Sequence, residues 1–98
     1  MLTRLHLTQA PNLEVIEVGK SICFKVVVRA FIFDADFGSP VNVWVKISNI
    51  HRHGDKGIYF EGACNGHEIV GHFWPGDIEK SWMTTRSDHQ VAAKLAAA

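Results

Sequence analysis

One run of residues, Ser21 to Phe33, most constrains what this chain can fold into. Ile22, Phe24, Val26, Val28, Ala30 and Ile32 alternate there with Cys23, Lys25, Val27, Arg29, Phe31 and Phe33. Successive side chains of a strand point to opposite faces, so the first set makes a wholly apolar face and the second a mixed one. The β-branched and aromatic content agrees with a strand. As one straight strand the run would span about 40 Å at ~3.3 Å per residue, longer than strands usually are. It is expected to bend at a bulge, to pass between two sheets or to extend across a subunit interface. Both of its faces call for cover, which a single open sheet does not provide.

Further strands are expected on either side. Leu2 to Thr8 and Leu13 to Val18 precede the long run, with Pro11-Asn12 between them and Gly19-Lys20 after them. Asp34 to Pro40 has the composition of a loop. Val41 to Ile50 alternates, with Val41, Val43, Val45 and Ile47 on one face and Asn42, Trp44, Lys46 and Ser48 on the other. His51 to Gly57 is a polar hairpin connection to a strand over Ile58 to Cys64. Asn65-Gly66 then signals a two-residue hairpin, because both residues tolerate positive φ, and His67 to Trp74 completes it. After Pro75-Gly76, Asp77 is placed to cap a short helix over Ile78 to Met83, where Ile78 and Trp82 lie four apart. Thr84 to Gln90 is expected to fray. The fold class is therefore mainly β: a small antiparallel barrel or two-sheet sandwich of about six strands with a short C-terminal helix. Residues 1–91 are expected to form a single β-rich domain. Residues 92–98, ending Lys94-Leu95-Ala96-Ala97-Ala98, resemble a cloning-derived tail.

Composition excludes some functions. Ten Lys+Arg balance ten Asp+Glu, and the signs are interspersed. This is not the basic footprint of a nucleic-acid binder, so no nucleic-acid partner is expected. No stretch approaches the roughly 20 apolar residues of a membrane span, and residues 1–6 lack the layout of a signal peptide. A cytoplasmic location follows as an expectation, with Cys23 and Cys64 as buried thiols. Trp44, Trp74, Trp82 and six phenylalanines are more than one core of this size can enclose. A homodimer formed through an apolar face or an unpaired edge is the corresponding expectation.

Six residues stand out as candidates for chemistry. His51 and His53 alternate at a strand end, so two imidazoles can face one divalent metal. Asp55, Glu61 or Cys64 could complete such a site, and no other cofactor is implied. His67 and His72 are five apart and face opposite sides of a regular strand, unless a bulge intervenes at Gly71. The His51-x-His53 pair resembles the His-x-His pair with which cupins, a family of small β-barrels, hold a metal. That likeness stops at three residues. Gly57 and Ile58 stand where the family's Glu is expected, and Pro75-Gly76-Asp77 is followed by no nearby His. Asp34-Ala35-Asp36-Phe37-Gly38 has the look of a calcium-loop fragment, but Pro40 and a valine strand end it.

Glu61 alternates with Tyr59. If their face lines a cavity, the two can act as general base and hydrogen-bond donor. Arg29, on the mixed face of the long run, needs a partner or a ligand if it is buried. Trp44 beside Lys46 can stack on a sugar, a base or a partner protein, or can pack against the late helix. No motif names a reaction. The leading reading is a non-enzymatic binding or interaction module that uses an apolar pocket or the Trp-bearing sheet face, with Arg29, Trp44, Tyr59 and Glu61 as its binding residues. The alternatives are a metal protein or metal-dependent enzyme built on His51 and His53, and a small acid–base enzyme built on Glu61 and Tyr59.

Overall fold

The computed structural model describes residues 3–11, 16–30 and 36–97. It contains six strands: β1 (Thr3–Leu7), β2 (Ser21–Ala30), β3 (Asp36–Arg52), β4 (Ile58–Cys64), β5 (His67–Phe73) and β6 (Trp82–Thr85). One helix, α1 (Arg86–Ala97), follows. Each strand pairs antiparallel with the next, and β6 pairs back onto β1, closing a barrel. Closure gives every strand a neighbour on both sides and gives the long alternating run an inside and an outside.

Ile22, Phe24, Val26 and Val28 turn inward as the alternation requires; Phe24 and Val26 are fully buried. Followed around the barrel, one inner rung of the register reads Ile50, Phe60, Gly71, Met83, Leu5, Val28. One residue over, the outer rung reads His51, Tyr59, His72, Trp82, His6, Val27. A slip of one residue would exchange the two sets. The interior is filled with side chains: the Phe24 and Phe60 rings stack at 5.2 Å and 4°, joined by Leu7, Val45, Ile47, Ile69, Phe73 and Met83. Gly71 is directly opposite Phe60, and its missing side chain leaves the space that the Phe60 ring occupies.

Two irregularities shape β3. Val26 pairs with Val41 and Val28 with Phe37, so residues 38–40 bulge opposite Val27. Gly38 takes φ 77° there, and Pro40, with no N–H to donate, is tolerated at such a site. The expected Asp34 to Pro40 loop is corrected accordingly: 36–40 are strand, and the loop-like composition marks a bulge. Asp34 and Ala35, and with them the calcium-like pattern, lie outside the described residues. The second bulge leaves Ser48 unpaired between Ile47–Gly62 and Asn49–Glu61.

Other expectations are also revised. Residues 12–15 of the expected Leu13–Val18 strand, and 31–33 of the long run, lie outside the described residues. Ile16 and Glu17 are not strand, and Val18 and Gly19 form a turn. Ile16 is nonetheless buried, and the Arg52 guanidinium donates to its carbonyl at 3.3 Å. The helix expected over Ile78 to Met83 is a single 3-10 turn at Ile78–Lys80, and Asp77 makes no side-chain cap. Met83 instead pairs with Leu5 and Gly71 and is fully buried. Closing the barrel outweighs the local four-residue spacing. The helix begins at Arg86 and runs through residues 92–97, with Ala92 buried. The Asn65-Gly66 hairpin forms as expected, at φ 50° and 82°.

Gly71→Ala tests the filled interior. A Cβ at Gly71 would lie 2.8 and 2.9 Å from the Phe60 Cε carbons and closer still to Cζ. Overpacking of this kind typically costs about 1–3 kcal/mol, which thermal unfolding reads as roughly 4–8 °C per kcal/mol in a domain this size. Phe60→Leu should restore part of the loss when combined with Gly71→Ala, giving a double variant more stable than the sum of the single effects.

Candidate functional site

The bulge at Ser48 decides what the outer face carries. Without it, the alternation that buries Val45 and Ile47 would also turn residues 49, 51 and 53 inward. The extra residue resets the phase, so Ile50 faces the core while Asn49, His51 and His53 face out. Re-aiming side chains is what bulges do.

Four rings line up on this surface. His51 and His53 have centroids 6.4 Å apart and planes 13° from parallel. His53 and His72 are 6.5 Å apart at 8°, and His72 packs on Trp74 at 4.3 Å and 24°. Tyr59 leans against His51 at 5.9 Å. Backbone groups hold the column at His53 and His72. A 3-10 turn at Gly54–Lys56 closes the β3–β4 hairpin, where the His53 N–H donates to the Gly57 carbonyl at 2.9 Å. His72 Nε2 donates to the Lys56 carbonyl at 2.7 Å, which fixes the ring's tautomer and rotation. Beside Trp74, the buried Ser81 hydroxyl accepts from the Trp74 N–H at 2.9 Å and donates to the Asp77 carbonyl at 3.2 Å.

Glu61 sits at the edge of the column, its side chain 18% exposed. Its carboxylate accepts from Arg86 at the start of α1 and from the Asn49 amide at 3.2 Å; His51 Nε2 lies 3.8 Å away. Arg86 also pairs with Glu68 at 3.0 Å. The acid therefore ties the helix to β4, and it lies on the outer surface beside Tyr59. α1 starts under a cap in which Thr85 Oγ1 accepts the Asp88 N–H at 3.2 Å. The helix packs on β5 and β6, where Val70 and Thr84, though on the outward side, are buried.

A second ring group lies along the same outer rung. Trp82 packs against both the Arg4 guanidinium, 4.5 Å from its centroid, and His89 of α1, at 5.0 Å. His89 and His6 both titrate below the ordinary histidine value of 6.5. For His89 the causes are burial, then the charges of Arg4 and Arg86. For His6 they are burial and Arg29, partly offset by its bond to the Glu79 carbonyl.

The sequence-predicted residues are thus divided. His51, His53, Tyr59 and Glu61 come together. Arg29 is elsewhere, its side chain 12% exposed and paired with Glu79 at 3.3 Å. Trp44 stands on the β2–β3 face, 62% exposed, and α1 covers β5 and β6 instead. Both cysteines are free thiols, but Cys23 is exposed rather than buried, since it shares the outward side with Lys25. His67 and His72 remain on opposite sides, because β4 and β5 pair without a shift. As oriented, the imidazoles face one another broadside rather than converging, and among the described residues no group of three or more His, Cys, Asp or Glu is placed to hold a metal. Trp74 and Arg86 were not singled out as site residues from the sequence, and His72 was weighed there only beside His67 as a metal ligand. The alternation of His72 with Trp74 was visible there, but their approach to His53 depends on the closed register. No helix among the described residues is long and apolar enough to cross a membrane.

Comparison with known protein families, with curated proteins and with solved structures finds no match. The functional reading rests on the geometry of the chain itself.

Two outcomes follow. Glu61→Ala and Arg86→Ala should each lower stability by about 1–2 kcal/mol, below the ~1.5–3 of fully buried charged hydrogen bonds because Arg86 remains half-exposed. A double-variant cycle in urea should return most of that as coupling. Stability should also fall on acidification. Below pH 6.5 the unfolded chain protonates His6 and His89 more readily than the folded one, so the folded state loses ground as pH drops from 6.5 towards the lowered folded values. Thermal melts of a His6→Gln/His89→Gln variant between pH 7.5 and 5 should show a flatter dependence than the parent.

Proposed function

We propose that this protein is a small binding module that works from the outside of a filled barrel, taking the flat rings of a ligand on the column His51–His53–His72–Trp74. The column's spacing carries this reading. The two centroid separations of 6.4–6.5 Å between near-parallel rings are well above the 4.3 Å of His72 on Trp74 and approach twice the ~3.5 Å contact distance between carbon atoms. A planar group can enter either gap with a small movement of exposed side chains and be sandwiched. The tight His72–Trp74 pair and the bond from His72 to Lys56 give one wall that is already held. Tyr59, which leans on His51, borders the slot and offers a hydroxyl that selects among ring ligands. With the interior filled by Phe24 and Phe60, the outer surface is where a ligand has room. The free thiols of Cys23 and Cys64 suit a reducing compartment, and we place the protein in the cytoplasm.

Titration with flat-ring probes tests this reading, using adenosine monophosphate, indole-3-acetate and a cello-oligosaccharide, followed by tryptophan fluorescence and 1H–15N correlation spectra. At least one probe should shift the Trp74 indole and the His53 and His72 resonances together. A His53→Ala/Trp74→Ala variant should weaken that response about tenfold or more, given ~0.5–1.5 kcal/mol per aromatic contact. Silence from every probe, or an unchanged response in the variant, would remove the column as the binding surface.

A further inference from the structure

The outer face of β2 and β3 has a different character. Ser21 pairs with Lys46, Cys23 with Trp44 and Lys25 with Asn42, and these outward residues are all exposed. Trp44, at 62% exposure, lies between Lys46, two residues along its own strand, and Lys25, its diagonal neighbour across the pair. The patch contains no acidic residue. Lys20, just before β2, is matched by Glu17 at 3.4 Å. Among the described residues, Lys25 and Lys46 have no ion-pair partner. Alongside runs an open groove of about 430 Å³, lined by Gln9, Pro11, Cys23, Lys25 and Asn42.

We infer that this face docks an extended acidic peptide segment of a partner protein, with an apolar side chain on Trp44 and a carboxylate on each lysine. The spacing defines the segment. Residues two apart on a strand are separated by about 6.6 Å, and diagonal cross-strand neighbours by ~7–8 Å. The line Lys25–Trp44–Lys46 is therefore matched by an extended acid-x-aromatic-x-acid sequence, whose alternate side chains share one face. The groove accommodates the chain beyond the Lys25 end, where Asn42 and Gln9 can bond its backbone. A nucleic acid is the weaker fit. Two lysines in a chain of zero formal net charge do not make the extended positive field that phosphate tracking requires.

The test is fluorescence anisotropy with a labelled peptide Gly-Glu-Ser-Phe-Ser-Glu-Gly against the full chain. Saturable, salt-sensitive binding is expected. Replacing both Glu by Gln in the peptide should weaken it by a factor of roughly two to five per charge, and Trp44→Ala by about tenfold. A Lys25→Glu/Lys46→Glu variant, checked for an unchanged circular dichroism spectrum, should lose the acidic peptide and gain its Lys-for-Glu counterpart. The inference is overturned if the acidic peptide fails to bind, if the charge reversal leaves binding unchanged, or if a ten-nucleotide oligothymidylate binds in its place. It is equally overturned if sedimentation shows a dimer that Trp44→Ala dissolves, since a second copy would then cover the face.

Discussion

The contact between Phe60 and Gly71 fixes the rest of the architecture. A ring on β4 fills the space that a side chain on β5 would have taken, and the same ring stacks against Phe24 of β2. That single stack spans the barrel interior and links strands that are not neighbours in the sheet. It also sets the β4–β5 register, because a side chain at the β5 position facing Phe60 would collide with the ring. Once Phe60 is inside, the next position over must be outside, and Tyr59 joins His51 and His72 on one outer rung.

The outer surface therefore follows from the inner packing. The core leaves no room for a ligand between Phe24 and Phe60, while closure against β1 places rings from β3, β5 and β6 on a continuous outer band. Different supports hold its two halves. Lys56 and Ser81 position His72 and Trp74 through backbone and hydroxyl hydrogen bonds, whereas Arg4 and His89 both pack on Trp82. The first half spaces its rings 6.4–6.5 Å apart on the open surface, and the second packs against α1. The lysine-flanked Trp44 face, on β2 and β3, is independent of both.

Much of the fold was legible in the sequence because strands announce themselves by alternation. The inward set of Ser21 to Ala30, the alternation from Val41 and the Asn65-Gly66 turn all depend on neighbours within a few residues. The features that went unread depend on distant partners. Gly38-Ser39-Pro40 has the same composition in a loop as in a bulge, and only pairing with Val26 and Val28 distinguishes them. Trp82 and Met83 read as helix until β1 and β5 claim them. In the site, His51 and His53 were identifiable as a pair, but their outward direction comes from the unpaired Ser48, which no local signal marks. Glu61 and Tyr59 were expected as binding residues or, if their face lined a cavity, as an acid–base pair. Their actual surroundings depend on Arg86, which stands 25 residues from Glu61 along the chain.

Closure of the barrel by β1 and β6 is the claim on which the inside and outside assignments rest, and that seam is short: Leu5 with Met83 and His6 with Trp82, continued by the Leu7 N–H on the Ser81 carbonyl. Amide hydrogen exchange with interstrand NOEs on 15N-labelled protein measures it directly. The account predicts cross-strand NOEs between the Leu5/His6 and Trp82/Met83 backbones, with the Leu7 amide protected to a degree comparable with β4. Absent NOEs across that seam, with β1 amides exchanging at unfolded-chain rates, would mean an open sheet and would contradict it.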